Sequence, residues 1–154
     1  MGQATDDTAA AMNAMHSTTW AGRMGLRMVR ASRDEVVAEL DVREEHRQPH
    51  GIVHGGVHSS IVETLASIGS AIDAIAHGKT VVGLENHTTF IRAVREGTLH
   101  ATATPLTRGR RTQVWETSIR DGKGALVATG RVRMLVIEPD AEVAGAALGS
   151  KMTE

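Results

Sequence analysis

The longest regular pattern of apolar residues lies between residues 57 and 75. Apolar side chains recur there at steps of three or four residues, at Val57, Ile61, Leu65, Ile68, Ile72 and Ile75. At about 100° per residue these positions form one narrow stripe, which predicts a single amphipathic helix of about twenty residues. His77 and Gly78 follow as a basic residue in the last turn and a helix stop.

The opposite face of this helix is predicted to be small and polar. It carries small side chains around one carboxylate, at Ser60, Glu63, Ser67, Ser70 and Ala74. Small side chains allow another backbone or a thin ligand to approach the helix closely. A solvent-exposed face with one hydrated glutamate has the same spacing, so the spacing alone does not establish a site.

Alternation of apolar and polar residues predicts strands on both sides of the helix. Two strands precede it, at residues 25–30 and 35–42, and four follow it, at 80–92, 98–105, 112–120 and 125–137. The turn Asp121-Gly122-Lys123-Gly124 predicts a hairpin between the last two strands. Because the apolar stripe needs a cover, the predicted class is α+β, an antiparallel sheet curved around a long central helix.

The ends of the chain differ in composition from its middle. Residues 1–9 are small and polar and are predicted to be disordered, and a short helix is predicted over about 8–21. The tail from residue 140, rich in Ala and Gly, is predicted to be mobile. The 154 residues are therefore divided into an N-terminal tail with a short helix (1–21), one domain (22–139) and a C-terminal tail (140–154).

Composition argues against several classes of function. A net charge of −1, with two tryptophans and one phenylalanine, favours neither a polyanionic partner nor a nucleic-acid stacking surface. The chain has no cysteine, which excludes a cysteine nucleophile, cysteine zinc ligands and disulfides. Neither a secretory signal nor an apolar stretch long enough to cross a bilayer is visible, so we expect a cytoplasmic protein without a membrane partner.

The loop before the central helix contains the sequence His54-Gly55-Gly56. Glycine lets the backbone approach a ligand closely, and a helix start offers unpaired N–H groups and a positive dipole end. Glu63 follows two turns later, and Ser67 lies one turn beyond it. We therefore predict a catalytic arrangement of a flexible loop, a helix start suited to developing negative charge, and a carboxylate within reach of both.

Two stretches extend this motif: residues 48–56, QPHGIVHGG, and residues 62–67, VETLAS. They resemble the hotdog-fold acyl-CoA thioesterases, most of all the phenylacetate-pathway, hydroxybenzoyl-CoA and enterobactin-proofreading types. The likeness continues to Trp115-Glu116 and covers roughly residues 22–137. It implies a helix wrapped by a long antiparallel sheet, homodimers joined edge to edge that often pair into homotetramers, and active sites at the dimer interface.

The resemblance implies catalytic roles for five residues. Glu63 matches the family's carboxylate, which acts as nucleophile or as general base on water. Gly55 matches the residue whose backbone N–H polarises the thioester carbonyl. His54 and Gln48 match residues that bind the carbonyl or position the attacking group, and Ser67 matches a position that holds the water or the carboxylate.

A coenzyme A site is expected from the same resemblance. Three guanidiniums around a glycine, in Arg108-Gly109-Arg110-Arg111-Thr112, suit phosphate groups, although a hydrated basic turn has the same composition. They resemble the family's coenzyme A site together with Gly83, Phe90, Ile91 and Arg92, although some relatives have histidines at positions 90 and 91. The substrate is then an acyl thioester of coenzyme A or of an acyl-carrier protein, and no separate cofactor is expected.

Three alternatives compete with this interpretation. His50, His54 and His58 recur at steps of four, as zinc ligands on a helix can, but the proline and glycines around them oppose a helix before residue 57. A hotdog hydratase usually uses a histidine and an acidic residue in another arrangement. A non-catalytic acyl-CoA-binding protein would keep the arginines without needing Glu63. The joint presence of Glu63, Gln48 and Ser67 favours an enzyme over a binding protein. We expect a thioester hydrolase with no metal site, and the acyl group stays open.

Overall fold

The computed structural model of the protein describes residues 2–148, with side chains described from residue 7. Its helices are α1 (Gly2–His16), α2 (Trp20–Arg23) and α3 (Gly55–Ile75), and a 3₁₀ turn lies at Glu44–His46. Its strands are β1 (Arg27–Ala31), β2 (Val36–Asp41), β3 (Thr80–Phe90), β4 (Thr98–Arg108), β5 (Thr112–Arg120), β6 (Leu126–Ile137), β7 (Glu142–Val143) and β8 (Ala146–Ala147). The predicted order of two strands, one long helix and four strands is confirmed.

Six strands form one antiparallel sheet in the order β1-β2-β4-β5-β6-β3. Strands β2 to β6 all contact α3, so the sheet wraps the central helix and the predicted α+β class is confirmed. The edge strand β1 packs against α1. The other edge strand, β3, is eleven residues long, and no strand in the described part of the chain pairs with its outer edge. Proteins seldom leave so long an edge uncovered, because its free backbone groups pair readily with another strand.

Two glycines let α3 approach the sheet closely. A Cβ at Gly69 would lie 2.3 Å from Cη2 of Trp115, which is fully buried under the helix. A Cβ at Gly130 of β6 would lie 2.6 Å from Val62 Cγ1. Both distances are shorter than real Cβ contacts, so neither position has room for a larger residue. This close packing fixes the rotation of α3 and therefore the direction in which its polar side chains point.

The buried face of α3 is wider than the apolar stripe predicts. Ile61, Leu65 and Ile68 are buried as predicted, but Ile75 at the end of the stripe is 57% exposed. The prediction that Ser70 and Ala74 lie on the open face is wrong, because both are buried, as are Val62 and Ala66. The curved sheet covers the helix on more than one side, which the spacing of apolar residues cannot reveal.

A buried polar network accommodates Ser70 in the core. Ser70 Oγ donates to Gln113 Oε1 at 2.9 Å, and Trp115 Nε1 donates to the same oxygen at 3.0 Å. Gln113 Nε2 donates to Asp73 Oδ2 at 2.9 Å, and Arg33 Nη2 lies 2.9 Å from Asp73 Oδ1. Because Ser70 and Gln113 both have hydrogen-bond partners, their burial carries no unsatisfied polar group.

The N-terminal segment differs from its prediction. Residues 2–16 form one helix, so the predicted disorder over residues 1–9 is wrong for residues 2–9, and the predicted helix over 8–21 is divided in two. Thr19 Oγ1 donates to His16 O at 2.8 Å, just after α1 ends. Asn13 ties α1 to β1, because its side chain donates to Met28 O at 2.9 Å and accepts from Met28 N at 2.8 Å.

The C-terminal tail contains a short hairpin, β7–β8, in its described part. The rest of the tail predicted to be mobile, residues 149–154, lies outside the described residues, as does residue 1. Among residues 2–148, no helix combines the length and the apolar character that crossing a membrane requires.

Candidate active site

Glu63 points from α3 towards strand β3. Asn86 Nδ2 donates to Glu63 Oε2 at 2.9 Å. Gly83 faces the other carboxylate oxygen, since a Cβ at this position would lie 2.7 Å from Glu63 Oε1. Any larger residue at position 83 would displace the carboxylate. Gly83, which the resemblance assigns to the coenzyme A site, therefore lies against the candidate catalytic carboxylate.

A cavity of about 480 Å³ opens beside Glu63. Glu63 and Ser67 both line it, so the structure brings these two predicted residues to one site. Its other walls are mostly apolar and come from α3, from strand β3 and from both ends of the chain. The apolar lining residues include Met12, Met15, Trp20, Ile68, Ile72 and Val81. A mostly apolar cavity of this size with a few polar groups is typical of small-molecule sites.

His16 of α1 also lines this cavity. Burial lowers the pKa of His16, so the ring is neutral at neutral pH. Next to it along the chain, α2 is held against α3 by a hydrogen bond from Trp20 Nε1 to Ser60 Oγ at 2.9 Å. The first two helices therefore form one wall of the cavity and are fixed to the helix that carries Glu63.

The start of α3 carries a second group of predicted residues. His54 is the N-cap, and its Nδ1 accepts a hydrogen bond from Gly56 N at 2.9 Å. Because Nδ1 accepts, the proton of the neutral ring lies on Nε2, which is then free to donate. The Gly55 N–H has no hydrogen-bond partner in the described part of the chain. Two donors suited to a carbonyl oxygen or an oxyanion thus belong to adjacent residues.

Gln48 lies in the tight loop that leads to this helix start. Its backbone N–H donates to Ile52 O at 2.9 Å, and its carbonyl accepts from Gly51 N at 2.8 Å. Gly51 closes the loop with φ +74°, a conformation that favours glycine. The loop is held from outside by Arg95 Nη1, which donates to His50 O at 2.9 Å. Gln48, His54 and Gly55 therefore share one end of α3.

The two groups of predicted catalytic residues are separate within one chain. Gly55 and Glu63 are eight residues apart on α3. This spacing corresponds to about 12 Å along the helix axis. Reacting atoms must approach to about 3–3.5 Å, so one thioester cannot contact both groups of a single chain. The carboxylate is thus not within reach of its own helix start.

The predicted coenzyme A residues also divide into two groups. Phe90 lies over the helix start, where a Cβ at Gly55 would lie 2.7 Å from its ring, and Ile91 and Arg92 follow it as exposed residues. The turn 108–112 lies at the other end of β6, where Arg111 O accepts from Val136 N. Phe90 instead pairs with Ala128. Eight residues of strand, about 26 Å, separate the two groups within one chain.

The three arginines of the turn have different surroundings. Arg108 is largely buried and forms ion pairs with Asp34 and Asp73. Arg110 and Arg111 are exposed and form no ion pair within the described residues. Gly109 allows the turn to close, because its N–H donates to Thr112 O at 2.8 Å and a Cβ would lie 2.8 Å from the same oxygen. Arg110 and Arg111 are therefore the arginines available to a phosphate group.

The three histidines considered as zinc ligands do not converge. His58 is buried beside Phe90, with ring centroids 6.0 Å apart, and its Nδ1 has no hydrogen-bond partner among the described residues. Burial lowers the pKa of His58. His54 caps α3, and His50 lies in the preceding loop. In the described chain, no group of three or more His, Asp or Glu side chains is placed to hold a metal ion.

Two residues beside the carboxylate, Asn86 and Thr88, are not indicated by any sequence pattern. Asn86 contacts Glu63, and Thr88 Oγ1 donates to Asn86 Oδ1 at 2.7 Å. Both alternate along β3 on the side that faces α3. Strand alternation could have placed them on one face, but the register between β3 and α3 is set by tertiary packing and is not visible in the spacing.

Comparisons with known proteins identify the family. The sequence profile of the thioesterase superfamily matches residues 50–128. The chain is 32% identical over 130 residues to 1,4-dihydroxy-2-naphthoyl-CoA hydrolase of Escherichia coli, covering 84% of this chain and 95% of that protein. It is 33% identical over 130 residues to the proofreading thioesterase EntH of Klebsiella pneumoniae, covering 84% and 94%.

Solved structures show the same relationship. The crystal structure of thioesterase HI1161 from Haemophilus influenzae superposes with a TM-score of 0.80 at 32% sequence identity, covering 84% of this chain and 90% of that one. The chain therefore belongs to the thioesterase superfamily and is a thioester hydrolase with the hotdog fold.

Proposed function

We propose that the protein hydrolyses acyl-CoA thioesters at Glu63, with the acyl group in the adjacent cavity. The observation that carries the proposal is the position of a carboxylate on the wall of a mostly apolar cavity of about 480 Å³. In the reaction, the C–S bond breaks, the acyl carbon gains a hydroxyl oxygen from water, and coenzyme A leaves as the thiol. Glu63 either attacks the acyl carbon itself or removes a proton from the attacking water.

We propose that each active site is completed by two chains. The helix-start donors, His54 and Gly55, lie too far from Glu63 of their own chain to act on the same carbonyl. The uncovered edge of β3 runs beside Glu63 and carries the exposed Leu84. Pairing of two β3 edges about a twofold axis would bring the helix start of one chain towards Glu63 of the other. This arrangement also supports an assembled dimer or tetramer.

The proposed acyl group is an aryl or medium-chain group. The cavity offers apolar walls and enough volume for such a group. The similarity to an enzyme named for a dihydroxynaphthoyl thioester supports an aromatic acyl group of similar size. An acyl-carrier protein is an alternative thiol carrier for the same acyl groups.

A panel of thioesters tests this proposal. We expect release of free thiol from benzoyl-, hydroxybenzoyl- and octanoyl-CoA at kcat/KM values at least about tenfold above those of acetyl-CoA, because acetyl leaves most of the apolar cavity empty. The same acyl groups on a carrier protein show which carrier is preferred. Absence of hydrolysis across the panel would contradict the proposal.

We propose that the turn at Arg110 and Arg111 binds a phosphate of coenzyme A. The double variant Arg110→Gln, Arg111→Gln should raise KM for acyl-CoA about tenfold with little change in kcat, because phosphate contacts form in ground and transition states alike. The effect should vanish for the corresponding acyl-pantetheine, which lacks the nucleotide.

Two further variants serve as controls for this measurement. Arg30→Gln removes the same charge from edge strand β1 and should leave KM unchanged. Arg108→Gln should lower thermal stability, since Arg108 pairs with the buried Asp73. An equal rise in KM for acyl-CoA and acyl-pantetheine would assign a structural role to the turn.

A further inference from the structure

Asn86 of β3 connects the candidate catalytic carboxylate with the backbone of α3. Its Nδ2 donates to Glu63 Oε2 at 2.9 Å and to Ser59 O at 3.1 Å. Ser59 precedes Glu63 by one turn of α3, so a single amide group binds both the carboxylate and the helix backbone beneath it. Asn86 itself lies on β3, the strand with the uncovered edge.

The orientation of this amide follows from the hydrogen-bonding groups around it. Ser59 O can only accept a hydrogen bond, so the nitrogen of the amide must face it and the neighbouring Glu63 Oε2. Thr88 Oγ1 donates to Asn86 Oδ1 at 2.7 Å and so satisfies the other end of the amide. A flipped amide would place its oxygen against two other oxygens and lose the hydrogen bonds to Ser59 O and Glu63 Oε2.

We propose that Asn86 is a positioning residue that fixes the rotation of the Glu63 carboxylate, with Oε1 directed towards the substrate. A hydrogen bond to one carboxylate oxygen limits the rotation of the group and leaves the other oxygen free. With Oε2 bound to Asn86, Oε1 is the oxygen that lies in the space left by Gly83. The inference rests on the proposed catalytic role of Glu63.

Few other charged groups among the described residues lie near Glu63. From α1, His16 shares the cavity and is neutral at neutral pH. On β3, Glu85 and His87 alternate with Asn86 and point to the other face of the sheet, where Glu85 pairs with Arg133. The residues of α3 next to Glu63 along the chain, Val62 and Thr64, carry no charge. The amide of Asn86 is thus the principal polar contact of the carboxylate.

Substitution of Asn86 tests the inference through the separate effects on kcat and KM. Asn86→Ala should lower kcat about tenfold or more, with little change in KM, because the carboxylate loses the hydrogen bond that fixes its orientation while substrate binding is kept. Asn86→Asp should have the same effect, because an aspartate side chain has no N–H to donate to Glu63 Oε2.

Thr88→Val provides a second variant that leaves Asn86 in place. It removes the hydrogen bond to the amide oxygen of Asn86, and we expect a smaller fall in kcat than for Asn86→Ala. Thr89→Val is the matched control: Thr89 is exposed on the opposite face of β3, so this variant should leave both kcat and KM unchanged.

The outcomes separate this inference from the proposed function. If Glu63→Gln abolishes hydrolysis while Asn86→Ala and Thr88→Val keep the wild-type kcat, Asn86 has no positioning role. A rise in KM as large as the fall in kcat would also overturn the inference, because a general loss of structure at the site gives that result. If Asn86→Ala does not fold, the kcat and KM of Thr88→Val decide. Full activity of Glu63→Gln would instead overturn the proposed function.

Discussion

Replacing Glu63 with glutamine is expected to lower kcat for acyl-CoA by about 10³-fold while acyl-CoA still binds. Glutamine has nearly the same shape but can neither attack the acyl carbon nor accept a proton from water, so the loss falls on the chemical step. Release of coenzyme A thiol measures the rate, and calorimetry measures binding of the unhydrolysed thioester to the variant.

Glu85→Gln is the matched control for this measurement. Glu85 lies two residues from Gly83 on the same strand, but its carboxylate pairs with Arg133 on the outer face of the sheet. The same chemical change there should leave kcat within about twofold of the wild-type value. Because the proposed mechanism needs no metal ion, EDTA should not lower the wild-type rate. Full activity of Glu63→Gln, or loss of activity in EDTA, would contradict the mechanism.

Introducing an arginine at Leu84 is expected to dissociate the assembly and to lower activity by about two orders of magnitude. Leu84 is 49% exposed on the uncovered edge strand β3, at the irregularity between Gly83 and Glu85. An arginine from each chain would bring like charges together where two edges meet. Without a partner, Glu63 would lose the helix-start donors that the proposed site takes from the other chain.

Leu106→Arg is a closely matched control for the effect of charge itself. Leu106 is 50% exposed and also lies at a strand irregularity, but on β4, which pairs with β5 along this stretch and is not the edge proposed to join the two chains. Light scattering should give a multiple of the 16.4 kDa chain mass for the wild type and for Leu106→Arg, and a smaller mass for Leu84→Arg. A fully active wild-type chain of 16.4 kDa would contradict the two-chain site.

The fold was predictable because its signals are local. The spacing of Val57, Ile61 and Leu65 marks the central helix, and the alternation in residues 98–105 and 112–120 marks two of the strands. The helix ends where a glycine with positive φ, Gly78, follows it. These features depend only on residues near one another in sequence, so the amino-acid sequence alone was sufficient to detect them.

The surroundings of the helix were less predictable, because they depend on distant residues. The burial of Ser70 requires Gln113 and Trp115 of β5, more than forty residues away. The N-terminal helix was predicted to begin too late and to continue past His16, since its small polar residues carry little apolar periodicity and Asn13 anchors it to the distant strand β1. In both places tertiary contacts override local preference.

The candidate site was predictable in its residue types and not in its geometry. The sequence brings Glu63 and Ser67 to one helix, and the structure places both in one cavity. The sequence could not show that Arg108 forms ion pairs with two aspartates while Arg110 and Arg111 are exposed. Both aspartates, Asp34 and Asp73, are remote from Arg108 in sequence. Nor could it show that Asn86 meets Glu63, which depends on the register between a strand and a helix.

The separation of the helix start from Glu63 along α3 also has a genetic consequence. Suppose that each site joins the helix start of one chain to the carboxylate of another. An allele in which Glu63 is replaced and an allele in which His54 is replaced then inactivate different halves of the active site. A mixed dimer then contains one site with both defects and one site with neither. Two inactive alleles expressed together would complement each other, and random pairing would restore about a quarter of the sites.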